Sequence, residues 1–402
     1  SPLRAGVLVP TVLAIGLVGG YAGATLLWPL HAVAPDVRPA AVEPLTAADT
    51  TPRWPDSGSA AVGVAGFAPV ASSTEQMPMA SITKVITALM VLEQRPLQPG
   101  EQGRGFAFTF QDRAAYWNYL ARHESALDVP VGGSLSLYQL LQGMLIGSAG
   151  NYTDRLVSSL WGSDEAFARA ATRWLERKGI AGITVVEPTG IDPGNTAAPA
   201  ALAALADLAL ADPVVAEIVR TESVVLPGAG TITNTNDLLA DDGTIAGVKT
   251  GSLWGRYNLL GAKDVSVAGV TLHAYAAVLG QPSDRLRDEE TARLLDAVSA
   301  QVVAAELPAG TLAGRVTTEW GATVDAVTAQ TATAVLWNGA TTSSEVARDL
   351  GRARTAGAEV GALTLTDPVT TSEVPVVLSA DIPAPSAWWR LTHPLQLFGL
   401  AD

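Results

Sequence analysis

The chain has 402 residues, a formal net charge of −14 and no cysteine. Its length suggests two domains, and its acidic balance argues against nucleic acid as a partner, because phosphate binding needs Lys and Arg patches. The lack of cysteine excludes disulfides, Cys-containing zinc sites and cysteine nucleophiles. Only four of the 25 basic residues are lysines, at positions 84, 178, 249 and 263. Since a buried lysine can lose its proton and arginine cannot, these positions are candidates for chemistry.

The N-terminal segment is apolar, and no Asp, Glu, Lys or Arg lies between Arg4 and Asp36. About 20 apolar residues suffice to cross a bilayer, so we expect an anchor over residues 1–33 and an extracytoplasmic position for the rest. The alternative is a cleaved secretory signal, whose apolar region is usually shorter, about 7–15 residues. Residues 34–58 are rich in Pro, Ala and Thr and are predicted to be a linker above the membrane.

Strand-like and helix-like patterns mix between residues 59 and 306, which we interpret as the main domain. Strand material is predicted at 60–71, and two strands joined by a turn at 265–280. Helices are predicted at 81–94, 135–147, 164–179 (with Gly179 as the C-cap) and 287–306.

The sequence pattern changes from residue 307, where β-branched and small residues alternate and residues typical of turns separate the segments. This pattern predicts a small β-rich domain over 307–385. The last segment, 386–402, is aromatic and apolar. It is predicted either to lie on the membrane surface or to pack on its own domain.

Ser81-Ile82-Thr83-Lys84 stands at the start of the helix predicted over 81–94. A spacing of three residues puts Ser81 and Lys84 on one helix face, a turn apart. A serine hydroxyl is a weak nucleophile until a neighbouring base takes its proton, and Lys84 could be that base if apolar neighbours keep its amine neutral. An N-cap serine followed by a solvated lysine is the competing interpretation.

Two further motifs follow. Lys249-Thr250-Gly251-Ser252 comes after an apolar lead-in and is expected on a strand, where it presents a cation and a hydroxyl, and where Gly251 permits close backbone approach. Ser148-Ala149-Gly150-Asn151 follows the helix predicted over 135–147. Its serine could relay protons between the two lysines.

In this order and spacing the chain resembles the penicillin-binding and serine β-lactamase superfamily, whose motifs are S-x-x-K, S-x-N and K-T-G. The low-molecular-mass D-alanyl-D-alanine carboxypeptidases look closest, since MASITKVITALMVLE, EPTGIDPGN, LPGAGTITNTNDLL and GVKTG all resemble that family. The resemblance implies an α/β (α+β) transpeptidase-like fold, an antiparallel sheet with helices on both sides and a helical subdomain, followed here by the β-rich domain.

The resemblance also implies roles. Ser81 would attack the D-Ala-D-Ala carbonyl and form an acyl-enzyme, with Lys84 as its base and Ser148 donating a proton to the leaving D-Ala. Lys249 and Thr250 would hold the substrate carboxylate, and the N–H groups of Ser81 and Ser252 would form the oxyanion hole. Stem peptides ending in D-Ala-D-Ala are then the substrate and β-lactam antibiotics inhibitors, with no cofactor or metal.

One position departs from the family pattern. The third residue of S-x-N is Gly150 here, and Asn151 comes one place later. The family often shows a second asparagine there, so either Asn151 is that neighbour and the motif asparagine is lost, or a local backbone shift lets Asn151 contact substrate in its stead. The departure motivates a second hypothesis, a degenerate member that binds stem peptides or a partner protein without turnover.

A β-lactamase is the third hypothesis. Glu187 is only loosely similar in position to the deacylating glutamate of class A enzymes, because no Asn follows four residues on, and we interpret it as part of a turn. Asn234 and Asn236 are expected to shape the site floor, and Arg256 either adds positive charge or is solvated. The histidines show no metal spacing and are interpreted as ordinary surface or packed residues.

Overall fold

The computed structural model describes residues 5–30, 35–348 and 353–400 of the chain. These residues divide into two compact units. The larger unit comprises Ala48–Val303 with Trp337–Gly339, and the smaller unit comprises the described residues of 1–47, 304–336 and 340–402. All three sequence motifs lie in the larger unit.

The larger unit is built on a five-stranded antiparallel sheet. Its strands are β2 (Ser59–Val64), β3 (Val70–Ala71), β11 (Ile245–Leu253), β12 (Arg256–Val267) and β13 (Val270–Gln281), in the order β11-β12-β13-β2-β3. Helices α7 (Pro199–Ala211) and α10 (Asp284–Ser299) cover opposite faces of this sheet. Gly63 and Gly261 pair with two successive residues of β13, so they face opposite sides of the sheet. Gly63 faces α7 and Gly261 faces α10. Since both faces are covered, β2 is a continuous buried run rather than an alternating one.

The rest of the larger unit is mainly helical. Its other helices are α2 (Thr83–Gln94), α3 (Phe110–Ala121), α4 (Leu137–Leu145), α5 (Gly150–Leu160), α6 (Asp164–Arg177), α8 (Pro213–Val219) and α9 (Leu238–Asp241). Its short strands are β4 (Met77–Pro78), β5 (Gly105–Ala107), β6 (Ser134–Ser136), β7 (Ile183–Thr184), β8 (Thr196–Ala197), β9 (Ser223–Leu226) and β10 (Gly230–Thr233). Helix α2 is the central one: residues 83–92 are all buried, and it contacts α4, α5, α6 and α7.

The smaller unit is β-rich, as predicted. Its strands are β1 (Asp36–Pro39), β14 (Val303–Leu307), β15 (Leu312–Thr317), β16 (Thr323–Thr328), β17 (Ala332–Leu336), β18 (Ser343–Arg348), β19 (Glu359–Thr366) and β20 (Thr371–Leu378). Six of them form an antiparallel sheet with the order β1-β15-β16-β20-β19-β18, and β14 pairs with β17. Burial alternates along β16 and β20, which is typical of a sheet with one covered face.

The smaller unit also contains both ends of the chain. Helix α1 (Ala5–Leu27) is long and apolar enough to cross a membrane by length and composition. Helices α11 (Ala387–Thr392) and α12 (Pro394–Leu397) form the tail. The tail packs against α1: Arg390 donates to the carbonyl oxygen of Trp28 at 2.8 Å, and the Tyr21 hydroxyl donates to that of Leu391 at 2.6 Å. Packing on its own unit was one of the two predicted placements.

Several element predictions need correction. Residues 36–39, predicted within a linker, form strand β1, which pairs with β15. The closing helix ends at Ser299 instead of 306, since residues 303–307 form β14. Helix α4 begins at Leu137 instead of 135, because the Ser136 hydroxyl accepts from the N–H of Gln139 and closes a capping box. The turn between β12 and β13 is confirmed, and so is the left-handed Gly179 after α6, with φ +70°.

Candidate active site

A cavity of about 690 Å³ opens in the larger unit, between the start of α2, the loop before α5 and strand β11. The predicted site residues that line it are Ser81, Lys84, Ser148, Thr250, Gly251 and Ser252. Lys249 and Asn151 are not among the described residues of its wall. The fold thus brings together three motifs that are far apart in the chain.

Ser81 and Lys84 are in direct contact. Ser81 lies in a 3-10 turn, Ala80–Ile82, so α2 itself begins at Thr83, two residues later than expected. The Lys84 Nζ donates to the Ser81 Oγ at 3.0 Å and to the carbonyl oxygen of Thr189 at 2.5 Å. Ala80 has φ +51°, a left-handed conformation that is costly for a non-glycine residue and that clusters at functional sites.

Burial makes the Lys84 amine easier to deprotonate than an ordinary lysine. Its side chain is buried, and this burial lowers the pKa of Lys84 to about 8, against the opposing effect of Glu187, Asp154 and Glu124. A lysine with such a pKa is partly neutral near pH 7–8. Because the amine already contacts the Ser81 hydroxyl, it is placed to act as its general base.

Strand β11 forms the opposite wall. The Thr250 and Thr235 hydroxyls lie 2.5 Å apart, and the Lys249 Nζ lies 3.5 Å from each of them. Lys249 is buried beneath this pair, and its pKa is lowered well below the usual value by burial first and then by the positive charges of Lys84 and Arg287. The wall therefore exposes hydroxyls to the cavity and keeps the amine behind them.

Gly251 explains how β11 comes so close to Ser81. A Cβ at position 251 would lie 2.8 Å from the Met79 carbonyl oxygen and 3.1 Å from the Ser81 nitrogen. Real side chains do not fit there, so only glycine lets the two backbones approach. The next residue, Ser252, lines the cavity beside Ser81 as a result.

The third motif forms the remaining wall, and it departs from expectation. Ser148 is buried, lines the cavity and has φ +59°. Asn151 points elsewhere: its Oδ1 accepts from the N–H of Leu127 at 3.1 Å, and its Nδ2 donates to the Leu127 carbonyl oxygen at 2.8 Å. The expectation that Asn151 takes the place of the motif Asn is wrong, because both ends of its amide are engaged with backbone. Gly150 begins α5 without a side chain.

Comparison with known proteins identifies the fold of this unit. Residues 70–267 match the model of the family described as D-alanyl-D-alanine carboxypeptidase, Peptidase_S11. The resemblance to penicillin-binding carboxypeptidases is confirmed. This match supports a serine hydrolase of the carboxypeptidase type. Among the curated proteins, no significant match to the chain was found.

Solved structures of carboxypeptidases and penicillin-binding proteins share the fold. The peptidoglycan synthesis regulatory factor (PBP3) of Streptococcus pneumoniae is 21% identical, with a TM-score of 0.56 over 81% of this chain and 98% of that one. The D-alanyl-D-alanine carboxypeptidase DacD of Francisella tularensis is 17% identical, with a TM-score of 0.55 over 86% of this chain and 95% of that one. Penicillin-binding protein 5 of Haemophilus influenzae is 16% identical, with a TM-score of 0.57 over 83% of this chain and 99% of that one. The penicillin-binding transpeptidase-like fold predicted above is confirmed.

Glu187 organises a loop of the carboxypeptidase-like unit. Its carboxylate accepts from the N–H groups of Thr189 at 2.7 Å and Gly190 at 2.5 Å, and from the Asn195 amide. This loop supplies the Thr189 carbonyl oxygen that holds Lys84. Glu187 is thus engaged in a turn, as its sequence context indicates, and is not placed as a deacylating base.

The cavity wall also contains residues to which the sequence patterns assign no role there, among them Thr235, Arg287 and His123. Thr235 is the middle residue of N-T-N, where the sequence pattern points to the two flanking asparagines instead. Arg287 is buried and forms a two-point ion pair with Asp288, although its sequence context is typical of a solvated helix start. His123 is exposed and lines the cavity, so it is a surface histidine, one of the two interpretations that the sequence gives.

The other candidate residues, Asn234, Asn236 and Arg256, do not line the cavity. The Asn234 side chain donates to the Thr221 carbonyl oxygen and accepts from the N–H of Asn236, so it shapes the loop beneath Thr235. Arg256 is exposed and makes a long contact, 3.4 Å, with the Gly280 carbonyl oxygen. Within the described residues, no group of three His, Asp or Glu side chains is placed to hold a metal ion.

Proposed function

We propose that this chain is a serine-type D-Ala-D-Ala carboxypeptidase that trims peptidoglycan stem peptides through an acyl-enzyme on Ser81. The contact that carries the proposal is the 3.0 Å hydrogen bond from the buried Lys84 amine to the Ser81 hydroxyl. A nucleophile paired with a base whose pKa lies near working pH is the arrangement acyl transfer needs. The match of residues 70–267 to the family described as D-alanyl-D-alanine carboxypeptidase supports this substrate class.

Acylation follows from the wall geometry. The neutral Lys84 amine takes the Ser81 proton while Oγ attacks the carbonyl carbon of the penultimate D-Ala. The developing oxyanion is stabilised by the backbone N–H groups of Ser81 and Ser252, which Gly251 allows to lie close together. Collapse breaks the C–N bond, and the terminal D-Ala amine leaves with a proton delivered through Ser148.

Deacylation uses the same base, with water as the nucleophile and Ser81 as the leaving group. Water attacks the Ser81 ester, one proton of that water passes to the Lys84 amine, and the Ser81 oxygen regains a proton as it leaves. The products are the shortened stem peptide, D-Ala and the original enzyme. Lys84 thus acts as the base in both carbonyl steps, first for the Ser81 hydroxyl and then for water.

The substrate carboxylate is expected to bind at β11. Thr250 and Thr235 present hydroxyls, and Lys249 and Arg287 supply positive potential behind them. An arriving carboxylate favours the protonated form of Lys249, so binding would draw a proton onto that amine. β-Lactam antibiotics, which present a carboxylate and a reactive carbonyl together, would acylate Ser81 in the same orientation.

A binding protein without turnover is the second candidate. Gly150 favours it, because a side chain that the family pattern supplies at this position is missing. The intact Ser81–Lys84 contact favours the enzyme.

The proposed location follows from helix α1. We place the chain in the cell membrane as a single-pass protein, with 1–33 as anchor, 34–58 largely as a spacer, 59–306 as the catalytic domain on the extracytoplasmic side, 307–385 as the β-rich domain and 386–402 as the tail. Helix α1 supplies the required length and composition.

Release of D-Ala from a synthetic pentapeptide ending in D-Ala-D-Ala tests the proposal. We expect release by the wild type and none above background by Ser81→Ala. Peptide binding without release in the wild type would favour the binding protein, whereas rapid hydrolysis of a chromogenic cephalosporin would favour a β-lactamase.

A further inference from the structure

Gly150 is not simply a position that has lost its side chain, because its space is filled. A Cβ built at position 150 would lie 2.3 Å from Cε1 and 2.9 Å from Cζ of the Tyr119 ring. Distances this short are not seen between real atoms, so any side chain at 150 requires the ring to move. The glycine of S-A-G and the tyrosine of α3 are sterically coupled.

Tyr119 is itself held in place. It is buried at the end of α3, and its hydroxyl donates to the Asp154 Oδ2 at 2.6 Å. Asp154 lies one turn after Gly150 on α5, so its carboxylate faces back over the start of that helix. The Arg122 guanidinium lies over the ring, 4.9 Å from its centroid. The pair therefore has a defined geometry at the wall that carries Ser148.

We propose that Tyr119 and Asp154 together replace the third-position side chain of the S-x-N motif and act as positioning residues for the Lys84 amine. This inference rests on the proposed function, in which Lys84 is the base. Tyr119 fills the space and holds the Asp154 carboxylate by a hydrogen bond, and Asp154 places a negative charge on the α5 side of Lys84 that Gly150 cannot supply.

Electrostatics connect the pair to Lys84. Helix α5 packs against α2, and the Asp154 carboxylate raises the pKa of Lys84 while the ammonium lowers the pKa of Asp154. The other charged groups that act on this centre are Glu187 and Glu124, which also raise the pKa of Lys84, and Lys249, whose pKa Lys84 lowers. Asp154 thus keeps the base from losing its proton too readily.

The state of Asp154 depends on Tyr119. Burial raises the pKa of Asp154 to about 6, aided by Asp164 and Glu187, while the hydrogen bond from Tyr119 and the charge of Lys84 oppose the increase. The carboxylate is therefore charged at pH 7–8, where Lys84 titrates, and it would be less so without the tyrosine hydroxyl. A tyrosine that only filled space would have no effect on the charge of Asp154.

The four lysines of the chain make a direct test possible. In the full chain, labelled with ¹³C-lysine in detergent micelles, only four ε-carbon signals are expected, and Lys84→Arg assigns one of them. Asp154→Asn should move the Lys84 titration midpoint to lower pH by about half a unit or more, because a nearby negative charge is removed. Tyr119→Phe should give a smaller shift in the same direction.

The matched control is Tyr275→Phe. Tyr275 is also buried, and its hydroxyl also donates to a carboxylate, that of Asp207 at 2.7 Å. We expect no shift of the Lys84 midpoint in this variant. Unchanged midpoints in both Asp154→Asn and Tyr119→Phe would overturn the inference, as would an equal shift in the control.

A second measurement tests the steric part and does not need activity. Gly150→Asn should lower Tm by several degrees in the wild-type background and clearly less in a Tyr119→Ala background. Equal losses in both backgrounds would contradict the coupling. If wild-type enzyme releases no D-Ala but the Lys84 midpoint shifts as expected, the proposed function fails while the positioning pair stands. The reverse result rejects the pair and leaves the function intact.

Discussion

The walls of the cavity differ in how they follow the family pattern. On two of them the motif side chains are present: Ser81 contacts Lys84 on one wall, and Thr250 is hydrogen-bonded to Thr235 on the opposite wall. On the third-motif wall, Gly150 has no side chain and Asn151 is turned to the backbone of Leu127. A site can thus keep its nucleophile and base while a supporting wall is rebuilt from residues outside the motif.

Removal of the base should have the largest effect. Lys84→Arg keeps a positive charge but cannot accept a proton near neutral pH, and general-base catalysis typically contributes about 10²–10⁴-fold. We expect the rate of acylation by a penicillin to fall by about that factor in stopped-flow measurements. Lys178→Arg, which changes an exposed lysine ion-paired with Glu93, is the control. An unaffected rate in Lys84→Arg would exclude Lys84 as the base.

The pH dependence of acylation should show the same base. The reactive form of Lys84 is neutral, and its pKa is about 8, so the rate should rise with pH, by about tenfold between pH 7 and pH 9. The rise should level off above pH 9 and should be absent in Lys84→Arg. A rate that falls over this range would show that the protonated amine is the active form.

The opposite wall should contribute less. Thr250→Val removes a hydroxyl that bonds to Thr235 and faces the cavity. Loss of one hydrogen bond, about 0.5–1.5 kcal/mol, predicts a decrease in kcat/KM of about two- to thirteenfold for the pentapeptide, mainly through KM. Thr271→Val, on the exposed end of β13, should leave both constants unchanged. A loss confined to kcat would argue against a role in carboxylate binding.

The third-motif wall should respond through stability. Asn151→Ala leaves the N–H and carbonyl of Leu127 without their partner, which costs about 1–3 kcal/mol, while the acylation rate of folded enzyme should stay within about twofold. Urea unfolding and acylation kinetics on the same sample measure both quantities. A large loss of rate without loss of stability would return Asn151 to the substrate site.

The sequence predicted the parts of the site that rest on local spacing. Ser81 and Lys84 are three residues apart, so any helix brings them together. Lys249, Thr250 and Gly251 share one strand, and the resemblance indicated which wall they form. The predicted sheet strands at 60–71 and 265–280 follow from runs of small and β-branched residues.

Other features depend on partners distant in the chain. Tyr119 meets Gly150 across 30 positions and belongs to no motif, and Thr235 contacts Thr250 only after β11 folds beside the loop. Strand β1 is four residues long and pairs with residues 314–317, so its own composition carries little signal. The direction of the Asn151 amide is likewise set by Leu127, which no pattern links to it.

The most direct test of the central claim is covalent labelling of the wild type by a fluorescent penicillin beside Ser81→Ala. We expect one labelled band in the wild type, resistant to denaturation, and none in Ser81→Ala of the same thermal stability. Equal labelling of both would place the nucleophile elsewhere. The absence of labelling in folded wild type would contradict the proposed acyl-enzyme on Ser81.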